Sequence, residues 1–193
     1  MGFLVYALCF CLVVVIGYAS YAGAPWVPVR RFDMEALIKD LDLRSGQQFV
    51  ELGCGDGRLL RAVGTKDIQA IGYEINPLLW GIAWFRNIPH KNVRVKFGNM
   101  WRADVSRADV VMVFLVPRTM PRLSQKAEQE MKPGSRLVSY IFPAQLPNGR
   151  KAKSWYVYGI EKSLKKVAKG GRQDSSAAYN EPHTDGSNEQ ANK

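Results

Sequence analysis

The sequence predicts an α/β fold in which a parallel sheet carries helices on both faces and follows one N-terminal transmembrane helix. Three observations predict it. Residues 1–29 hold no charged side chain. From about residue 47 onward, short strand-like runs alternate with helix-like runs, the pattern of parallel βαβ units. The run DVVMVFLV is apolar almost throughout, as a strand buried on both faces must be.

The opening segment MGFLVYALCFCLVVVIGYASYAG reaches the roughly 20 apolar residues that a bilayer core requires. With no water available there, it would be helical. No Lys or Arg precedes it, and Pro25 would follow an A-x-A cut at Ala22 and Ala24, which argues against a cleaved signal peptide. A membrane anchor is therefore expected over residues 1–24. The linker 25–32 contains Pro25 and Pro28 and reads as extended. Arg30 and Arg31 follow the span, so the rest of the chain is expected on the cytoplasmic face of a bacterial inner membrane or in a mitochondrial matrix.

Asp33 is expected to cap a short helix, DMEALIKDLDL, ended by Ser45-Gly46. QQFVELG reads as a strand running into a glycine cluster. A helix from Arg58 to about Val63 and the strand IQAIGYE follow. Asn76-Pro77 pairs a capping residue with proline at the first helical position, opening the helix LLWGIAWFRN. Its Trp80, Trp84 and Phe85 are expected in the core, with an interfacial patch against lipid as the alternative. NVRVKFGN alternates as a strand, and DVVMVFLV follows it. Pro117 to Met131 reads as a helix that Lys132-Pro133-Gly134 ends. SRLVSYIF is the next strand, and SWYVYGIE another after a turn at Pro147-Asn148-Gly149. The domain is expected over 33–168, and residues 169–193, polar and without periodicity, read as a disordered tail.

Composition removes several classes. Three cysteines exclude a secreted disulfide scaffold, and two distant histidines, His90 and His183, exclude a zinc site built on a Cys/His cluster, so no metal is expected. The net charge of +10 belongs to residues 30–169, which alone carry +12. Behind an anchor, anionic lipid is the simplest partner for that charge. Nucleic acid is not expected, because no array of stacking aromatics accompanies the basic residues. Local clusters stand at Arg150, Lys151 and Lys153, and at Lys162, Lys165, Lys166 and Lys169.

Ligands of parallel sheets bind beyond the carboxyl ends of the strands, so the loops there carry the chemistry. The first loop is Glu51-Leu52-Gly53-Cys54-Gly55-Asp56-Gly57-Arg58. Its glycines permit a sharp turn and expose bare main chain. A dinucleotide fingerprint would want a third glycine where Arg58 stands. Glu51 and Asp56 would repel a pyrophosphate and suit a ligand bearing positive charge. Cys54 reads as a small residue rather than a reactive one. In the second loop Glu74, with Ile75 after it, ends a strand about one βαβ repeat further on. A carboxylate there can accept hydrogen bonds from both hydroxyls of a ribose.

VELGCGDGR followed by IGYEINP resembles the nucleotide-binding half of the class I, seven-β-strand S-adenosylmethionine-dependent methyltransferases. DVVMVFLVP and KPGSRLVS resemble later strands of that Rossmann-like fold. The resemblance implies that Glu51, Gly53, Cys54, Gly55, Asp56 and Gly57 surround the methionine part of S-adenosyl-L-methionine. It also implies that Glu74 and Ile75 take the ribose and that Asn99 and Met100 meet the adenine. Many members carry an acid where Asn99 stands. A narrower resemblance joins the apolar N-terminal span, GAPWVPV, GYEINP, VFLVP and VSYIFP, in that order. They are similar to the membrane-anchored lysine methyltransferases of mitochondria that modify the ATP synthase c-subunit and the adenine nucleotide translocase, and to bacterial relatives. This implies a membrane protein as the substrate.

A lysine amine must lose its proton before it attacks a methyl group, and an apolar mouth favours the neutral form. Phe114, Leu115, Val116 and Pro117 are expected to line that mouth, with backbone carbonyls near Leu115 holding the amine. Trp26 would offer a ring face to a cation or anchor the chain at the membrane surface. Two other functions fit the residues: methylation of a small or lipid-like amine, and a cofactor-binding module without catalysis.

Overall fold

The computed structural model describes residues 2–22 and 27–161. Trp26, the cluster from Lys162 to Lys169 and the tail expected over 169–193 lie outside the described residues. Five helices are described. They are α1 (Gly2–Ala22), α2 (Arg31–Leu41), α3 (Arg58–Gly64), α4 (Pro77–Asn87) and α5 (Met120–Glu130). The seven described strands are β1 (Gln48–Leu52), β2 (Gln69–Glu74), β3 (Val93–Phe97), β4 (Val110–Val113), β5 (Arg136–Tyr140), β6 (Arg150–Ala152) and β7 (Trp155–Gly159). They form one sheet in the order β3-β2-β1-β4-β5-β7-β6. The first five are parallel, and β7 runs antiparallel to both β5 and β6.

Alternation along the strands feeds two apolar layers. Phe49, Ala70, Val110, Met112 and Val138 point to the side covered by Leu37 and Leu41 of α2 and by Leu59, Leu60 and Val63 of α3. Val50, Leu52, Val111, Val113 and Leu137 point to the side covered by Met120, Leu123 and Ala127 of α5. The central strands β1 and β4 are therefore apolar on both faces, which explains the continuous run in the sequence. Each leucine buried completely in these layers contributes about 1.5–3 kcal/mol.

The register sets one functional edge. Leu52 stands opposite Tyr73 and Val113, Glu74 opposite Phe97, and Val113 opposite Ser139. The carboxyl ends of all five parallel strands thus finish side by side. The loops 53–57, 75–76, 98–100, 114–116 and 141–142 leave from that edge.

Several local expectations are corrected. Asp33 does not cap α2, which already begins at Arg31. Asp33 is buried and accepts the Tyr140 hydroxyl of β5 at 2.6 Å. Burial of the phenol, followed by that hydrogen bond and the nearby Asp33 charge, pushes Tyr140 up to about 12. The strand expected over DVVMVFLV closes at Val113. The helix expected from Pro117 begins as a 3-10 turn, Pro117–Thr119, before α5 starts with Pro121 in its first turn. The chain turns at Pro147-Asn148 as expected, but a further strand, β6, follows that turn, and a second turn at Lys153-Ser154 joins it to β7. Trp84 and Phe85 are 53% and 72% exposed, so only Trp80 of that aromatic group packs, edge-on against Phe97.

At the position of the expected anchor the structure has a helix, α1, with no acidic or basic residue in its end turns. Side chains are described for only part of it. Among the described residues no helix is long and apolar enough to cross a membrane.

Candidate functional site

The site is built where β1 and β2 end. After Leu52 the chain turns back over β2, and the N–H groups of Gly53 and Cys54 both donate to the Tyr73 carbonyl, at 2.9 and 3.0 Å. Gly53 and Gly57 hold φ of 82° and 71°, a left-handed conformation that favours glycine. Their surroundings differ. A Cβ added to Gly53 meets nothing within 4 Å, so its main chain lies open at the edge. A Cβ on Gly57 would stand 2.5 Å from Asn87 Nδ2 and 3.0 Å from the Ala83 Cβ of α4. Gly57 is thus a packing requirement and Gly53 an open surface. Asn87 completes the contact by donating to the carbonyls of Gly57 and Ala83, at 3.2 and 2.8 Å. Cys54 rests over Gly72, where a Cβ would meet its Sγ at 2.7 Å. Burial pushes the Cys54 thiol well up, so it is the small inert residue expected of it.

Glu74 ties the two loops together. One carboxylate oxygen accepts the Gly55 N–H and the other the Asn76 N–H, each at 2.8 Å. Its own carbonyl accepts the Gly98 N–H at 2.9 Å, which draws the β3 loop alongside. Asn76 caps α4 with its side-chain oxygen, at 3.0 Å to Leu78 N and 3.3 Å to Leu79 N, as its sequence context predicts. Each Glu74 oxygen has accepting capacity beyond its one backbone bond, so the group can grip a diol while staying fixed to the main chain.

Glu51 and Asp56 behave differently. Burial, then the charges of Asp56 and Glu74, pushes Glu51 well above the ordinary carboxyl range. Its Oε2 is buried without a hydrogen-bond partner among the described residues. Asp56 would be raised by burial. Its bonds to Arg58 (2.9 Å from both Nε and Nη2) and the Arg86 guanidinium (2.5 Å) overcome this and hold it below the usual value. Asp56 therefore clamps the loop onto α4. Of the two acids from which a positive ligand is inferred, Asp56 is thus paired with guanidinium groups, and Glu51 keeps a buried oxygen without a partner among the described residues.

The remaining candidates divide. Asn99 is exposed, and its side-chain oxygen accepts the Trp101 N–H at 3.0 Å, while Met100 is half-buried against the α5-side core. Ile75 is half-buried beside Glu74. Phe114 meets the Tyr140 ring edge-on at 4.9 Å. The Leu115 side chain is 4% exposed and packs into the core rather than facing the mouth. The Val116 carbonyl is occupied by the Thr119 N–H and hydroxyl, at 3.0 and 2.7 Å. Pro117 is exposed. Asn87, Arg86 and Tyr140 shape this edge without having been singled out in the sequence. Their partners lie 30 and 107 residues away, and one sequence carries no signal at such separations.

The fold is similar to that of solved methyltransferases. An RNA methyltransferase from Salinibacter ruber, crystallised with S-adenosyl-L-homocysteine, superposes with a TM-score of 0.64 at 24% identity. The match covers 72% of this chain and 97% of that one, and it establishes a Rossmann-like methyltransferase fold. The chain belongs to the family defined by the ANTKMT methyltransferase domain, whose model matches residues 51–153. An ATP synthase c-subunit lysine N-methyltransferase of Xenopus laevis is 34% identical over 123 residues, 62% of this chain and 54% of that protein. A protein-lysine N-methyltransferase of Saccharolobus islandicus is 33% identical over 125 residues, 61% of this chain and 76% of that protein. The chain spans about half the length of the curated vertebrate relatives it matches.

Proposed function

We propose that this chain is an S-adenosyl-L-methionine-dependent methyltransferase that methylates a lysine side chain of a membrane-associated protein. The observation that carries the reading is Glu74. It is a buried carboxylate at a strand end, locked by two backbone N–H groups beside the open main chain of Gly53. The donor set fits the cofactor. Glu74 can take the ribose hydroxyls, Gly53 and Gly55 the close approach of the methionine part, and the unpartnered Glu51 oxygen a donor such as an ammonium. Asn99 and Met100, which Gly98 holds against β2, would meet the adenine. The cofactor would supply an activated methyl group. The chain's own task is to hold a neutral amine in line with it. Phe114, packed edge-on against Tyr140, and Val116 provide apolar surface that disfavours an ammonium.

The relatives support lysine as the acceptor, since the Xenopus and Saccharolobus proteins are both named lysine N-methyltransferases. The ATP synthase component in the first name supports a membrane protein as the substrate. The sequence supports tethering, since residues 1–29 carry no charge and their opening run reaches the roughly 20 apolar residues that a bilayer core requires. In this reading Arg30 and Arg31 keep the methyltransferase domain on the cytoplasmic or matrix side, and the anchor raises local substrate concentration.

Calorimetry with the cofactor tests the site, and labelling of membranes with radiolabelled cofactor tests the acceptor. Glu74→Gln keeps the volume but turns an N–H₂ toward a backbone donor. It should weaken cofactor binding by about 10–150-fold, the equivalent of one charge-assisted hydrogen bond. Undiminished affinity in a folded Glu74→Gln protein refutes the site. A labelled protein band supports the reading. Label confined to the lipid extract makes the acceptor a lipid amine, and tight binding without any label removes catalysis.

A further inference from the structure

Beside the methyl-transfer edge lies a cavity of about 240 Å³, lined by Arg30, Ile141, Lys151, Lys153, Ser154 and Tyr156. It sits where β5 ends and the β6–β7 hairpin turns, because Tyr140 stands opposite Trp155 and the turn is Lys153-Ser154. Three of its six walls are cationic, and among the described residues no carboxylate lines it. The acids close by are otherwise engaged. Asp40 accepts from Arg150 at 2.9 Å and from Trp155 Nε1 at 2.7 Å, and Asp33 accepts the Tyr140 hydroxyl. Arg150, which the sequence groups with Lys151 and Lys153, is thereby separated from them. Lys151 lies over the Tyr156 ring at 5.6 Å and Arg30 over the Phe32 ring at 5.8 Å. The backbone is forced here as well. Ile141 has φ of 69°, a conformation that a β-branched residue enters only where its surroundings impose it, and its N–H donates to the Ser154 carbonyl.

We propose that this cavity binds the phosphate of an anionic phospholipid headgroup. Three cations around a concave wall that holds no carboxylate among the described residues, with a hydroxyl and a phenol between them, make a site for a phosphate oxyanion. The source is argued from position and rim. Arg30 follows the end of α1 by eight residues, a reach of at most about 29 Å. Two exposed apolar side chains stand with the cations, Ile141 (39%) in the wall and Phe32 (73%) under Arg30, the mixture that suits a headgroup boundary. The volume lies below the roughly 300 Å³ at which sites for larger ligands begin. Only the choice of a lipid over free phosphate rests on the membrane reading of α1. Docked in this way, the carboxyl edge of the sheet faces the bilayer, where a lysine close to the membrane would be presented.

The test uses the full chain with nanodiscs of phosphatidylcholine, alone or with added phosphatidylglycerol, and hydrogen exchange of Lys151–Tyr156 read by mass spectrometry. Phosphatidylglycerol should slow that exchange by about tenfold or more. The combined variant Arg30→Gln, Lys151→Gln, Lys153→Gln should lose the effect while β1 and β4 exchange as before. Equal exchange in both discs overturns the proposal, and co-elution of the chain with both discs would then leave the membrane reading of α1 standing. Co-elution with the anionic discs alone supports the cavity and removes the anchor, whereas co-elution with neither overturns both. Inorganic phosphate producing the same slowing on neutral discs overturns the assignment to lipid.

Discussion

Replacing Gly57 with alanine puts a methyl group into a contact between two elements of the cofactor edge. The backbone there has φ of 71°, which costs an L side chain about 1–2 kcal/mol. The new Cβ would lie 2.5 Å from Asn87 Nδ2, so the amide must leave the carbonyls of Gly57 and Ala83. Those two hydrogen bonds are worth about 0.5–1.5 kcal/mol each. Retreat is also blocked by Ala83, whose Cα is 3.2 Å from the added atom. The whole perturbation should cost about 2–5 kcal/mol. In a domain of this size that lowers the thermal midpoint by on the order of 10 °C. Urea unfolding gives the free energy and calorimetry the midpoint. Gly53→Ala is the control, since its φ of 82° carries the same conformational cost but its Cβ meets nothing. Adding Asn87→Ala to Gly57→Ala should cost less than the sum of the single changes, because it removes the obstructing amide. If Gly57→Ala is no more destabilising than Gly53→Ala, the packing account of this loop is wrong.

Two of the buried acids, Glu51 and Asp56, give predictions of opposite sign. Glu51 is raised by burial and by its acidic neighbours. Its contribution is therefore complete below the ordinary carboxyl value and is lost as pH rises through the raised value of the folded state. Glu51→Gln should remove that slope, because an amide does not titrate. Urea titrations across pH check it, and an unchanged slope refutes it. Asp56 is held low by Arg58 and Arg86 against its burial. Its contribution is therefore present above the ordinary value and lost as pH falls through the lowered one. Asp56→Asn should destabilise at neutral pH by about 1.5–3 kcal/mol, with the gap from wild type closing in acid. A gap independent of pH would mean that the guanidinium pairs contribute nothing.

Much of this protein is local in origin. The glycines after FVEL, the Asn76-Pro77 cap and the twofold apolar run at β4 act over a few residues, so they mark β1, α3, β2, α4 and β4 without knowledge of the fold. Glu74 belongs with them, because its place at a strand end one βαβ unit after the glycines follows from spacing. The fate of each polar side chain depended instead on what folding brought beside it. Asp33 reads as a cap until β5 delivers the Tyr140 hydroxyl from 107 residues away. Asp56 reads as a ligand for positive charge until α4 delivers Arg86. Leu115 reads as part of the mouth until α5 covers it. Arg150 reads as one of a basic trio until α2 offers Asp40. Local propensity acts through the backbone of neighbouring residues, while charge pairing and burial act through space, and distance in space is set only when the sheet has closed.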